Sequence, residues 1–331
     1  MENAFRRSDL RFVAGLLLPL ALAFNMLVHP EHAAIGAFII WAAVALLDLV
    51  WRRSPGPGGS SEAMLWILRV YVPVQGVLLA VGLWACAHAS WPVVIGLAYG
   101  AGFLTGAQGI TYAHELGHGR RKADRVLGWV LMTSVNYPQF MVEHYRGHHV
   151  RVATRDDPAS ARSGESLWAF LPRTVIGSTL HAWQLHKQRW SPLALAWAFN
   201  LVFVAALIAL GQWKALAFWV GQSAFAVWLL ETVNYIEHYG LERAVLANGQ
   251  REPFGVAHAW NADHPASNSL LANLQRHSDH HMHAWKPYAQ LEALPGPQLP
   301  TGYAGCLLLA AIPPLWFHVM DARAPAVPAS P

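Results

Sequence analysis

The chain has 331 residues, of which 54% are apolar and only 13% charged, and it carries a formal net charge of +4. A soluble globular protein is ~25% charged, so this composition excludes an ordinary soluble enzyme and points to the membrane. Its two cysteines, Cys86 and Cys306, lie in apolar stretches away from any Cys/His pattern, which excludes a zinc ribbon or a redox CxxC and leaves them as small buried hydrophobes.

The first apolar run, 12–28, follows Arg6, Arg7 and Arg11. It leads into further apolar runs and lacks a small-residue cleavage site, so it reads as a membrane helix and not as a signal peptide. Runs over 33–51, 65–87, 91–113, 192–211 and 215–235 follow. Each has close to the ~20 helical residues that cross a ~30 Å hydrocarbon layer, and lipid offers no partner to an unpaired amide. Between the second and third spans, residues 53–61 read as a flexible Pro/Gly/Ser loop.

Charge sets the orientation. With a cytosolic N-terminus, every Lys and Arg except Arg69 and Lys214 falls in the cytosolic segments 1–11, 52–64, 114–191 and 236–331. The positive-inside rule selects that arrangement over its inverse. The fold expected is an all-α integral membrane protein of about six transmembrane helices, with a cytosolic helical cap over 114–191 and 236–321. Residues 1–321 read as one membrane-embedded domain, with a disordered Ala/Pro tail over 322–331. The stretch 303–317 is too short to span and contains Pro313 and Pro314, so it is expected to pack on the cap or dip into the interface.

Four histidine clusters sit at the cytosolic edges of these spans. They are His114-Glu115-Leu116-Gly117-His118, then Glu143-His144-Tyr145-Arg146-Gly147-His148-His149, then Asn234-Tyr235-Ile236-Glu237-His238, and last Gln275-Arg276-His277-Ser278-Asp279-His280-His281. The pairs 114/118, 144/148 and 277/281 are i, i+4 and share a helix face. Gly240 is placed to end the sixth helix in the left-handed conformation. Neutral imidazole suits iron, copper, nickel and zinc, and nine such residues exceed what one ion can coordinate, so two metal ions are expected. The carboxylates beside them, Glu115, Glu143, Glu237 and Asp279, are candidates to accept the second ring N–H and offset the metal charge. The other nine histidines, His29 and His32 among them, read as isolated or near turns, in ordinary structural roles for the most part. The first cluster also matches HExxH, the zinc-protease pattern with Glu115 as base. A catalytic zinc takes about three protein ligands, which would leave six clustered histidines without a role.

Taken together, the clusters resemble the AlkB-type alkane 1-monooxygenases of the membrane fatty-acid desaturase/hydroxylase superfamily. The likeness continues through 152–166, His258-Ala259-Trp260-Asn261 and 298–303. Tyr145, Gly119 and Ala259 depart from the residues usual there, and none of them is a ligand position. The resemblance implies a non-haem di-iron centre on His114, His118, His144, His148, His149, His238, His277, His280 and His281. It implies O2 as oxidant, and electrons from NAD(P)H delivered through a rubredoxin reductase and rubredoxin. The expected reaction is R–CH3 + O2 + 2e⁻ + 2H⁺ → R–CH2OH + H2O on a medium- or long-chain n-alkane entering from the bilayer. Alternatives are an alkyl-aromatic methyl hydroxylase of the xylene or cymene type, a fatty-acyl desaturase, the zinc protease, or a metal transporter. The last would need more polar residues in the spans than Arg69, Asp48 and Glu231. The expected location is the bacterial inner membrane, with both termini and the metal site cytosolic. The expected partners are membrane lipid and the electron carriers, with no nucleic acid. Arginines 120, 121, 151, 155 and 162 could receive an acidic carrier.

Overall fold

The computed structural model describes residues 9–51, 56–57, 61–186 and 191–324. Most of the 53–61 loop and of the tail expected from 322 lies outside them. Within the tail, residues 322–324 close a turn after the last helix.

The described residues are helical, with two isolated β-bridges and no strand. Helix α1 (Leu10–Val28) and α2 (Ala33–Val50) form the first hairpin, and α3 (Ser61–Cys86) returns. Next, α4 (Trp91–Leu104) runs through a π-turn, Thr105–Ile110, directly into α5 (Thr111–His118). Helix α6 (Lys122–Ser134) folds back beside α3. Then α7 (Phe140–Glu143), a second π-turn (His144–His148) and α8 (His149–Arg151) make one short irregular rod. Helices α9 (Leu167–Leu185), α10 (Pro192–Ala209) and α11 (Trp213–His238) follow. The short α12 (Pro265–Leu270), α13 (His277–Met282), α14 (Tyr303–Ala310) and α15 (Pro313–Met320) complete the cap.

Among the described residues, six rods are long and apolar enough to cross a membrane: Leu10–Val28, Pro30–Val50, Glu62–Cys86, Trp91–His118, Pro192–Ala209 and Trp213–His238. They match the six runs expected, and the fourth and sixth reach further, ending on His118 and His238. The expected stop after the sixth is present, with Gly240 at φ 68°. The stretch 303–317 forms α14 and α15, which bury Tyr303, Cys306, Trp316 and Met320 in the main core.

Helix α11 lies closest against α4. Contact is possible because Gly102 and Gly106 carry no side chain: a Cβ there would stand 2.6 Å from the Gln222 carbonyl oxygen and 2.8 Å from the Ala226 Cα. Arg69, Asp48 and Glu231 within the spans are each partnered, as burial requires. Arg69 forms a bidentate pair with the buried Asp124 of α6, at 2.7 and 3.0 Å. Asp48 accepts the Ser267 hydroxyl and amide at 2.5 and 3.1 Å, tying the end of α2 to α12. Glu231 accepts from Tyr137, Thr174 and Asn234.

Candidate metal centre

Helices α5, α11 and α13 and the irregular rod α7–α8 converge at one end of the bundle and bring all nine clustered histidines together. The ligand atoms of His114, His118, His144, His149 and His280 lie within 4.8 Å of one another, as do those of His148, His238, His277 and His281. The two groups adjoin, with the rings of His149 and His281 4.5 Å apart.

The second π-turn decides the partition. His144 and His148 do lie side by side, with ring centroids 5.3 Å apart, as i, i+4 spacing expects. Yet they serve different groups. Widening the turn by one residue places His149 in register with His144, their Nε2 atoms 3.0 Å apart. His114 with His118 and His277 with His281, on regular helices, stay paired within their groups.

The donor set fits metal ions. Facing Nε2 atoms are 3.0 Å apart for His114 and His280, 3.2 Å for His238 and His277, and 2.9 Å for His277 and His281. Two imidazole nitrogens held cis by one ion at ~2.1 Å stand about 3 Å apart. The buried Nε2 atoms of His118 and His148 have no hydrogen-bond partner among the described residues. Burial first, then the neighbouring imidazoles, hold His144, His149, His277, His280 and His281 well below the usual imidazole range. They are therefore neutral donors at ordinary pH, the state a metal requires.

The carboxylates sort differently from expectation. Glu237 reaches the centre: its Oε1 lies 3.2 Å from His277 Nδ1 and accepts the Tyr303 hydroxyl at 2.6 Å. Glu115 instead accepts the Tyr288 amide at 3.0 Å. Glu143 faces His181 at 3.1 Å, which also contacts Arg151. Asp279 takes His283, Lys286 and the Glu292 amide. Asp157, not singled out from the sequence, lies 2.8 Å from His148 Nδ1 and is itself held by Ser160 and the Ala159 amide. The available signal was its place in the 152–166 stretch. His29 and His32, read as lying near a turn, do so: with Glu31 they form an exposed group on the turn between α1 and α2.

An apolar cavity enclosing about 860 Å³, its mouth included, opens beside the centre. His114, His144 and His277 stand at one end, and Trp41 stacked on Phe103 (5.7 Å) stands at the other. Asn234 and Glu237 are the polar groups of α11 along its wall.

The model of the family described as fatty acid desaturase matches residues 88–308. Alkane 1-monooxygenase 1 of Pseudomonas aeruginosa is 37% identical over 93% of this chain and 88% of its own length. Alkane 1-monooxygenase 2 of Alcanivorax borkumensis is 41% identical over 69% of this chain and 63% of its own. The hydroxylase component of the xylene/toluene monooxygenase of Pseudomonas putida is 27% identical over 69% and 63%.

Proposed function

The chain belongs to the fatty acid desaturase family, and on that premise we propose that it is a membrane di-iron monooxygenase that converts n-alkanes to 1-alkanols. It is an oxidoreductase of the alkane 1-monooxygenase type. One ion would be held by His114, His118, His144, His149 and His280, the other by His148, His238, His277 and His281. The observation that carries this reading is the meeting of nine clustered imidazoles with the end of a long apolar cavity. Iron bound there supplies the oxidising chemistry an unactivated C–H bond demands, which no side chain can supply.

The chain's own residues do the positioning. Phe103 and His114 both line the cavity and are eleven residues apart along one rod (114 − 103), roughly 16 Å at the rise of a helix. That length favours a linear hydrocarbon over a compact methyl-arene. Walls such as Ile110, Leu229 and Leu271 exclude water and hold the terminal methyl against the imidazole end, so proximity selects the carbon that reacts. A substrate without polar groups enters from lipid.

The remaining features of the proposal are a single functional unit over 1–321, an inner-membrane location with the centre cytosolic, and electrons from rubredoxin fed by an NAD(P)H-dependent reductase. The positive-inside distribution supports the orientation. The test is twofold. Metal analysis of the purified protein is expected to find about two irons per chain and little zinc. Membranes given reductase, rubredoxin and an alkane mixture are expected to form 1-alkanols, scored by chain length. One zinc without iron, or no alcohol from any chain length, would overturn the reading.

A further inference from the structure

The monooxygenase reaction consumes two electrons that must arrive from another protein, and the inference here rests on that reading. We propose that the carrier docks on the loop Leu241–Gly255 with the segments beside it, and that electrons enter at the seam between the two histidine groups, at His149 and His281. The partner that fits is a small acidic one-electron carrier presenting an apolar patch over its own redox centre.

Exposure and adjacency together pick out the seam. Six of the nine imidazoles are buried and His118, His149 and His281 are half-buried, and of these three His149 and His281 adjoin across the two groups, their rings 4.5 Å apart. An electron delivered between them reaches both.

Exposed apolar side chains flank that seam in sequence and on the loop anchored to it. Val150 follows His149 and Met282 follows His281, Val245 and Leu246 lie on the loop, and Trp285 lies 6.3 Å from the ring of His283. Val150, Val245 and Trp285 are 65%, 51% and 68% exposed. All five lie outside the membrane-crossing rods, where lipid would account for exposed apolar surface. The loop's Phe254 packs on His281, with ring centroids 5.0 Å apart.

The loop is also preorganised, which lowers the ordering cost of association. Val245 and Arg251 form an antiparallel bridge, closed by Leu246 N–H to Gln250 at 2.7 Å and Glu252 N–H to Ala244 at 3.0 Å. Asn248-Gly249 forms the tip, with Gly249 at φ 78°. Arg243 fastens the loop to the segment after His149, through its amide to the Ala153 carbonyl at 2.8 Å and its guanidinium to the Val150 carbonyl at 3.0 Å.

Charge chooses the occupant. Arg243 and Arg251 stand on the loop itself, and Arg146 and Arg155 are exposed on the segment around His149. Glu242 lies between Arg155 and Arg251, and Glu252 is engaged by His258 and the Ala244 amide. An apolar centre with a basic rim suits an acidic protein, whereas a second copy of this chain would bring two basic rims together.

The experiment compares two electron donors in the full chain reconstituted in nanodiscs: purified rubredoxin, and dithionite with a small mediator. Val245→Asp combined with Leu246→Asp is expected to raise KM for rubredoxin at least tenfold. Turnover with dithionite and KM for alkane should stay within twofold of wild type. Val245→Ile with Leu246→Met is expected to restore the wild-type KM. An unchanged KM for rubredoxin would overturn the assignment. So would an equal loss with both donors, which would mark the loop as part of the fold of the centre. Wild-type turnover with dithionite but not with rubredoxin would remove the partner, and this docking face with it. Wild-type failure with both donors would remove the monooxygenase reading itself.

Discussion

Asp157 follows His148 by nine residues, in the loop beyond the irregular rod, yet its carboxylate is the firmest support of an imidazole in the centre. Burial pushes the Asp157 carboxyl up, but the His148 ring and the Ser160 hydroxyl outweigh that and hold it below its usual range. A carboxylate on Nδ1 fixes the tautomer and leaves Nε2 free to face the metal. Asp157→Asn is therefore expected to weaken iron binding by 10- to 100-fold, measured by chelator competition on the purified protein. Asp279→Asn, whose carboxylate engages Lys286, His283 and the Glu292 amide, should leave the affinity unchanged. The reverse ranking would contradict this account of the support. The nine histidines stand out in the sequence because their number and clustering have no ordinary structural explanation. Their supporting carboxylates do not, because adjacency along the chain says nothing about the direction in which a side chain points. Glu115 and Asp279 neighbour ligand histidines in sequence, yet Glu115 accepts the Tyr288 amide and Asp279 engages His283 and Lys286.

Among the elements, the membrane rods are the most legible, because hydropathy over ~20 residues reports directly on the hydrocarbon layer. The cap helices are less so. Several are six to eight residues long, too short to hold alone, and they form because tertiary packing covers them. The two π-turns have no signature in hydrophobic period and emerge only from the backbone. Each amounts to one residue more than an α-helix accommodates, absorbed locally so that the flanking helices keep their facing. This gives an asymmetric prediction for the turn Thr105–Ile110. Deleting Ala107 should relax it to an α-helix while His114 still faces His280, so iron content is largely retained. Inserting one alanine after Ala107 should swing α5 by about 100° and abolish iron binding. Metal analysis of the two variants at matched folded yield decides, and equal loss in both would disprove the local-absorption account.

For the whole molecule, ions held at the centre would work as a pair of cross-links. His114 and His280 are 166 positions apart, and His238 meets His277 across 39. Bound metal stabilises the folded state by mass action, about 2.7 kcal/mol for each site held at a free concentration 100 times its Kd. Removing iron with a reductant and chelator is expected to lower the thermal midpoint of the detergent-solubilised protein, and ferrous iron should restore it. A midpoint indifferent to chelation would show that the imidazoles pack without metal.

The helix His277–Met282 contributes to both groups, His280 to one and His277 with His281 to the other. Neither ion can find its full set of donors until that helix has left the ribosome, long after the first four spans have entered the bilayer. Metal loading at a full set of donors would thus follow the synthesis of that helix. A nascent chain stalled before residue 277 would hold its membrane topology with both sites open.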